Sequence, residues 1–120
     1  MILIDTNRWI SHFKHADSEV IALLQTDKIV THDFILGELT LGQFTKANRS
    51  LILERMNFLR KLPTSSHEEV TAFIEKYQMM GSGVGWVDAH LLHSCWKSKI
   101  SLLTNDKNLN RLARKLQLLP

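Results

Sequence analysis

Three short apolar runs, separated by longer stretches of helical periodicity, constrain the fold of this chain most. The runs are MILI at 1–4, KIVT at 28–31 and ISLLT at 100–104, and each has the length of a short buried strand. Apolar spacing predicts helices over residues 7–14, 18–26, 32–44, 47–61, 67–80, 85–99 and 106–116. This alternation favours the α/β class, with a short central parallel sheet and helices on both faces. The length of 120 residues predicts one domain over 1–120.

The composition is that of an average globular protein. No apolar run approaches the roughly 18 residues that a membrane span needs, and no basic segment precedes a long apolar one, so we expect neither a membrane protein nor a signal peptide. The single cysteine, Cys95, excludes an internal disulfide, and we therefore expect a cytoplasmic protein. The net charge of +3 and the pI near 9.2 favour polyanionic partners only mildly.

Two acidic residues stand at the carboxyl ends of predicted strands. Asp5 ends the first strand directly, and Asp106 follows the run ISLLT and opens the last helix. Each has a structural alternative, because aspartate is a favoured N-cap residue and a helix follows both. The carboxyl ends of parallel strands meet at one edge of a sheet, where ligands of such folds bind.

Two further acids lie on apolar faces of predicted helices. Glu38 falls inside an apolar arc made by Phe34, Ile35 and Leu41. Asp88 shares its helix face with Leu91, Leu92 and Cys95. Carboxylates are seldom buried without a partner. The structural alternatives are that Glu38 emerges at the rim of a rolled helix and that Asp88 interacts with the helix dipole near an N-terminus.

If the sheet is parallel, all four acids can converge at one edge. Carboxylates within a few ångströms of one another repel until protons or a cation neutralise them. Hard oxygen ligands, with no thiolate or imidazole pattern, select magnesium, or manganese as a substitute, over zinc. We therefore predict a cation site with Asp5, Asp88 and Asp106 as ligands. An acid-lined metal site in a basic protein indicates a phosphodiester substrate and a metal-activated water.

Four segments of the chain, in this order, carry a resemblance to a known family: MILIDTNRWISHF, HDFILGELTLG, GSGVGWVDAHLL and LLTNDKNL. With them the chain resembles the PIN-domain nucleases over essentially its whole length, and among these the VapC-type toxins of bacterial toxin–antitoxin pairs. The resemblance implies a PIN-like three-layer α/β/α sandwich and a magnesium-dependent endoribonuclease. It also implies a cytoplasmic homodimer that a cognate VapB-type antitoxin inhibits.

The resemblance assigns roles to individual residues. The family's catalytic acids correspond to Asp5, Glu38, Asp88 and Asp106. Supporting polar positions, two after the first acid and one before the last, correspond to Thr6, Asn7 and Thr104. The acids are the same four that the burial argument selects.

The chain departs from the family pattern beside two of these acids. Arg8 stands where the family often has a small apolar or polar residue. Asn105 stands where an arginine or a serine is common. These departures alter the local electrostatics and the substrate contacts, and they leave the metal acids intact.

Most basic residues fall in two segments, over 46–61 and 97–115. In the second, Lys107 and Arg111 are one turn apart on the helix that Asp106 opens, so we predict that they flank the metal site and hold the RNA backbone. The alternative is a solvated helix face.

Other functions remain open. The pairs His12 and His15, and His90 and His93, have the helical spacing of zinc ligands, but neither has a third ligand nearby and surface histidines are the simpler interpretation. A phosphatase of the haloacid-dehalogenase type needs a second aspartate where this chain has Asn7. The main alternatives are a housekeeping RNA-processing nuclease of the same fold and a non-catalytic binding module.

Overall fold

The computed structural model describes all residues from 1 to 120 as four strands and seven helices. The strands are β1 (Ile2–Ile4), β2 (Ile29–Thr31), β3 (Arg60–Lys61) and β4 (Ser101–Leu103). The helices are α1 (Thr6–Lys14), α2 (Ser18–Leu24), α3 (Asp33–Thr40), α4 (Lys46–Met56), α5 (His67–Lys76), α6 (Trp86–Ser98) and α7 (Lys107–Lys115). Each predicted strand and helix is present, and none of the helices has the length and apolar character needed to cross a membrane.

The four strands form one parallel sheet in the order β3-β2-β1-β4. Successive residues of a strand point to opposite faces, and Leu3 and Ile4 of β1 are both fully buried. Helices therefore cover both faces of the sheet, as parallel sheets require. The predicted α/β sandwich with a short central parallel sheet is confirmed.

Helix α3 ends earlier than its apolar pattern predicts. The pattern runs to Phe44, whereas the helix stops at Thr40, Leu41 caps it and Gly42 lies beyond it. Leu41 is 88% exposed, so the apolar arc predicted around Glu38 is wrong on that side. Gly42 disfavours continuation of the helix, because a glycine in a helix interior is about 1 kcal/mol less stable than an alanine.

Helix α4 is also shorter than predicted, because the sequence after it joins the sheet. The amide side chain of Asn57 donates to the Leu53 carbonyl at 2.8 Å and so satisfies one of the free carbonyls at the helix end. The strand β3 then pairs in parallel with β2, and Leu62 N donates to Thr31 O at 2.8 Å. This two-residue, charged edge strand was missed, since Arg60 and Lys61 carry no strand pattern.

Helix α5 ends at Lys76, four residues before the predicted limit. Gln78 adopts a left-handed conformation with φ of 53°, and Met79 N donates to the Ile74 carbonyl at 3.0 Å. This backward hydrogen bond closes the helix and directs the chain into the glycine-containing loop at 81–85 that leads to α6.

Candidate active site

The carboxyl edge of the sheet brings two of the predicted acids together. β1 and β4 are parallel neighbours, and the ladder continues past them because Asp5 N donates to Leu103 O at 2.9 Å. The segment after β4 then returns Asp106 to the same edge, at the start of α7. The strand-end argument therefore holds for Asp5 and Asp106.

Asp5 is buried and hydrogen-bonded at both carboxylate oxygens. Its Oδ1 accepts from Thr6 N and its Oδ2 accepts from Thr104 Oγ1, each at 2.8 Å. Burial raises the pKa of Asp5, the two hydrogen bonds oppose that rise, and the charges of Glu38 and Asp106 add to it. Asp5 also caps α1. The Asp5 side chain can therefore both cap α1 and belong to the acidic site.

Glu38 reaches the site from α3, where it is half-buried. Its Oε1 accepts a 2.7 Å hydrogen bond from Thr6 Oγ1. Thr6 thus contacts two acids, because its backbone amide binds Asp5 and its hydroxyl binds Glu38. The predicted supporting role of Thr6 has a geometric basis.

Asp88 lies in the first turn of α6, half-buried, and no protein donor binds its carboxylate. Burial raises the pKa of Asp88 to about 6, and the charges of Asp5, Asp106 and Glu38, in that order, contribute further. All four acids therefore share one electrostatic field. Asp88 differs from the other three acids, since each of those accepts a hydrogen bond from the protein.

Thr104 and Asp106 form a second hydrogen-bonded unit. The Thr104 hydroxyl accepts from Asp106 N at 3.0 Å while it donates to Asp5. Asp106 Oδ1 accepts from Leu109 N at 2.9 Å, so Asp106 caps α7 as its structural alternative predicted. Asn7, in contrast, is exposed and makes no side-chain hydrogen bond within the protein.

The chemistry of the donors fits a hard cation. No three His, Cys, Asp or Glu side chains meet at metal-binding distances as they stand. Magnesium does not need such a cage, because it is held by one or two carboxylates together with waters and substrate phosphates. Asp88 has free oxygens and a charge that the other acids oppose, so a cation beside it would relieve that opposition.

The basic residues near the acids differ in whether their side chains have partners within the protein. Arg8 contacts none of the four acids, because its guanidinium binds Asp17 at 2.6 Å and Glu19 at 3.0 Å instead. The side chain of Lys107 is exposed and makes no hydrogen bond or ion pair within the protein. Arg111 is exposed but partly engaged, since its Nη2 donates to Ser82 O at 3.1 Å.

The contact between Arg111 and the loop before α6 was not predicted from the sequence. The Arg111 Nη2 bond to Ser82 O joins α7 to the loop that precedes α6 and Asp88, and the same nitrogen donates within α7 to Asn108 Oδ1 at 3.0 Å. Gly83 in this loop has φ of +83°, and a Cβ there would stand 2.5 Å from Asn108 Nδ2. The closely spaced Gly81, Gly83 and Gly85 are the only sequence feature that points to this contact, because such spacing indicates a tight loop.

The interpretation of His90 and His93 as surface residues is wrong. Both are 4% exposed, because α6 is buried on all sides over residues 89–95. His93 Nδ1 shares a 2.6 Å hydrogen bond with Ser65 Oγ, and burial lowers the pKa of both histidines, which favours neutral rings. They are core residues, and no zinc-type group forms around them.

Comparison with known proteins agrees with this fold. The family model described as PIN domain matches residues 2–115, and the chain therefore belongs to the PIN domain family. Within the family it is 36% identical over 110 residues to the protein named Ribonuclease VapC32 from two strains of Mycobacterium tuberculosis, across 91% of this chain and 87% of that protein. The chain is a VapC-type PIN-domain protein, as its sequence motifs indicated.

Two solved structures share the fold. The crystal structure of FitAcB from Neisseria gonorrhoeae superposes with a TM-score of 0.66 at 19% identity, covering 95% of this chain and 94% of that chain. The structure of FitAB bound to an IR36 DNA fragment gives a TM-score of 0.63 at 18% identity, with coverage of 95% and 91%. At this identity the likeness describes the fold alone.

Proposed function

We propose that this chain is a magnesium-dependent endoribonuclease and the toxin of a toxin–antitoxin pair. The observation that carries the proposal is the group of four carboxylates at the carboxyl ends of the strands, where burial, and after it the charges of the other three acids, raise the pKa of Asp88 to about 6. The identity to a protein named Ribonuclease VapC32 supports RNA as the substrate. Residues 1–120 act as one nuclease domain in this proposal, which their common core of 22 buried residues supports.

Each acid has a role that follows from its contacts. Asp5, Asp88 and Asp106 would hold the cation, with manganese as a possible substitute for magnesium. When bound, the cation polarises the phosphate and lowers the pKa of a water so that it can attack. Thr104 and the Thr6 amide fix the carboxylate of Asp5.

The fourth acid, Glu38, is suited to proton transfer. Its Oε1 is occupied by the Thr6 hydroxyl, which leaves Oε2 without a protein donor. That oxygen accepts the proton of the attacking water in our proposal. Asn7, one residue beyond Thr6 and exposed, has donors available for the substrate.

The proposed protein partners are an antitoxin and a second copy of the chain. The similarity to VapC proteins supports a cognate VapB-type antitoxin that inhibits the nuclease in the cytoplasm. A homodimer is part of the proposal, and the oligomeric state of the purified chain tests it directly. Growth arrest on expression, relieved by co-expression of the protein encoded next to it, distinguishes the toxin from a housekeeping RNA-processing nuclease.

A cleavage assay tests the catalytic part. Purified chain is incubated with single-stranded RNA and magnesium, and we expect internal cuts that EDTA abolishes. Asp88→Asn should reduce cleavage at least 100-fold, since asparagine keeps the shape but removes the charge that the cation needs. Glu54→Gln is the matched control, because Glu54 is an exposed acid on α4. Wild-type cleavage by Asp88→Asn would refute the site assignment.

A melting experiment separates a nuclease from a non-catalytic module with a structural acid cluster. Magnesium or manganese should raise the melting temperature of the wild-type chain, because a cation that binds only the folded state stabilises it. The rise should be lost in Asp88→Asn and kept in Glu54→Gln. No shift at millimolar metal, together with a destabilised Asp88→Asn, would favour the structural cluster.

A further inference from the structure

The two departures from the family pattern, Arg8 and Asn105, are in contact. Arg8 Nη1 in α1 donates to Asn105 Oδ1 at 3.1 Å. Asn105 lies between Thr104, which binds Asp5, and Asp106, which begins α7. The contact therefore joins the first turn of α1 to the segment that carries Asp106 and the Asp5-binding Thr104.

The charge of Arg8 is already matched within the protein. Its Nε donates to Asp17 Oδ2 at 2.6 Å and its Nη2 donates to Glu19 Oε2 at 3.0 Å. The hydrogen bond from Arg8 lowers the pKa of Asp17 to about 2. The Arg8 side chain is only 13% exposed. A guanidinium held by two carboxylates is poorly placed to bind a phosphate itself.

Arg8 nevertheless determines how Asn105 faces solvent. A guanidinium has five N–H donors and no acceptor, so the atom of Asn105 that meets it must be the carbonyl oxygen. The amide nitrogen of Asn105 then points away with both of its N–H groups. Asn105 is exposed, and no protein acceptor binds that nitrogen. Two oriented donors thus lie free beside the acids.

We infer that Asn105 donates a hydrogen bond to a phosphate oxygen of bound RNA, and that Arg8 is the positioning residue that orients its amide. The inference rests on the proposed function, since it requires RNA at the acids.

A double-mutant cycle tests the connection between the two residues. Affinity for a single-stranded RNA oligonucleotide is measured with magnesium in the Asp88→Asn background, where cleavage is disabled. Asn105→Ala should weaken binding about tenfold, as expected for a hydrogen bond to a charged group. Arg8→Met should weaken it several-fold. In the Asn105→Ala background, Arg8→Met should change the affinity less than twofold, because its effect passes through Asn105.

The salt dependence separates positioning from direct contact. A basic residue that binds a phosphate of single-stranded RNA contributes about 0.7 to the slope of log affinity against log salt. We expect this slope to stay unchanged in both Asn105→Ala and Arg8→Met. The matched control is Arg114→Met, which removes one positive charge from an exposed position at the far end of α7.

A second variant keeps the test independent of the stability of Arg8→Met. Asn105→Asp retains an oxygen for Arg8 and removes both N–H donors, so it should weaken binding at least as much as Asn105→Ala. Affinities within twofold of the parent for both Asn105 variants would overturn the inference. An undiminished effect of Arg8→Met in the Asn105→Ala background would also overturn it. Failure of the wild-type chain to bind or cut RNA would instead overturn the proposed function itself.

Discussion

The Thr104 hydroxyl joins the ends of two neighbouring strands by donating a 2.8 Å hydrogen bond to Asp5 Oδ2. The residues are 99 positions apart in sequence and adjacent in space, because β1 and β4 are parallel neighbours. The same hydroxyl accepts from Asp106 N at 3.0 Å. One side chain therefore sets the relative positions of two acids and opposes the rise in the pKa of Asp5 that burial causes.

Removal of this hydroxyl should impair both stability and activity. Thr104→Val keeps the shape but leaves a buried carboxylate oxygen of Asp5 and the Asp106 amide without their partner. We expect a loss of about 1–3 kcal/mol in the free energy of unfolding, measured by urea denaturation, and at least tenfold slower RNA cleavage. Thr104→Ser, which keeps the hydroxyl, is the control and should retain most of both. A fully active Thr104→Val would show that the strand-end contact is dispensable.

The raised pKa of Asp88 predicts a pH-dependent stability in the absence of metal. Its folded pKa of about 6 lies above the usual value of 3.8 for an aspartate, so folding favours the protonated acid. The stabilising contribution is therefore complete below about pH 4 and is lost as the pH rises through 6. Because Asp88 is half-buried, solvent screening reduces the effect at pH 7 to about 1 kcal/mol.

The substitution Asp88→Asn removes that penalty. In EDTA at pH 7 it should raise the melting temperature by roughly 3–5 °C, and the difference from wild type should vanish toward pH 4. Thermal melts at several pH values measure this, with Glu54→Gln as the control for loss of an exposed acid. A lower melting temperature for Asp88→Asn at pH 7 would mean that the carboxylate has a stabilising partner.

Much of the fold could be predicted from the sequence because its elements follow simple periodic patterns. Runs such as MILI and ISLLT are buried on both faces, and this burial makes them continuous apolar stretches. The strand β3 could not be found in this way. Its residues Arg60 and Lys61 are exposed on the outermost strand of the sheet. Only their pairing with Val30 and Thr31 defines them as a strand.

The positions of the four acids in the fold could be predicted from the sequence, but their hydrogen-bonded connections could not. Asp5 and Asp106 follow strands, and parallel topology alone brings them together. The links made by Thr6 to Glu38, and by Arg8 to Asn105, join residues 32 and 97 positions apart. One sequence contains no signal for such pairs, because any polar residue near a strand end has several possible partners.

The loop before α6 should respond to substitutions according to its backbone conformation. Gly81 and Gly83 both have positive φ, which costs alanine about 1–2 kcal/mol, and a Cβ at Gly83 also meets Asn108. We therefore expect Gly83→Ala to be the more destabilising and to slow cleavage, since this loop leads to Asp88. Gly37→Ala, in a helix with open space around it, should stabilise by about 0.5–1 kcal/mol. Urea denaturation compares all three, and equal effects at positions 83 and 37 would contradict the expectation.

The RNA path beside Asp106 should depend on Lys107. This lysine is exposed and free of protein partners in the first turn of α7, whereas Arg111 also holds the Ser82 carbonyl. Lys107→Ala should therefore weaken RNA binding and reduce the salt slope by about 0.7 without loss of stability. Arg111→Ala should lower the melting temperature as well.

The affinities are measured across a salt series in the Asp5→Asn background, which removes one of the proposed metal ligands. The control is Lys28→Ala, which removes an exposed lysine just before β2, at the opposite edge of the sheet. Only a residue near the bound phosphates releases counterions, so Lys28→Ala should leave the slope unchanged. If Lys107→Ala and Arg111→Ala also leave affinity and slope unchanged, this face of α7 is solvated surface. The RNA path would then lie along the other basic segment, over residues 46–61.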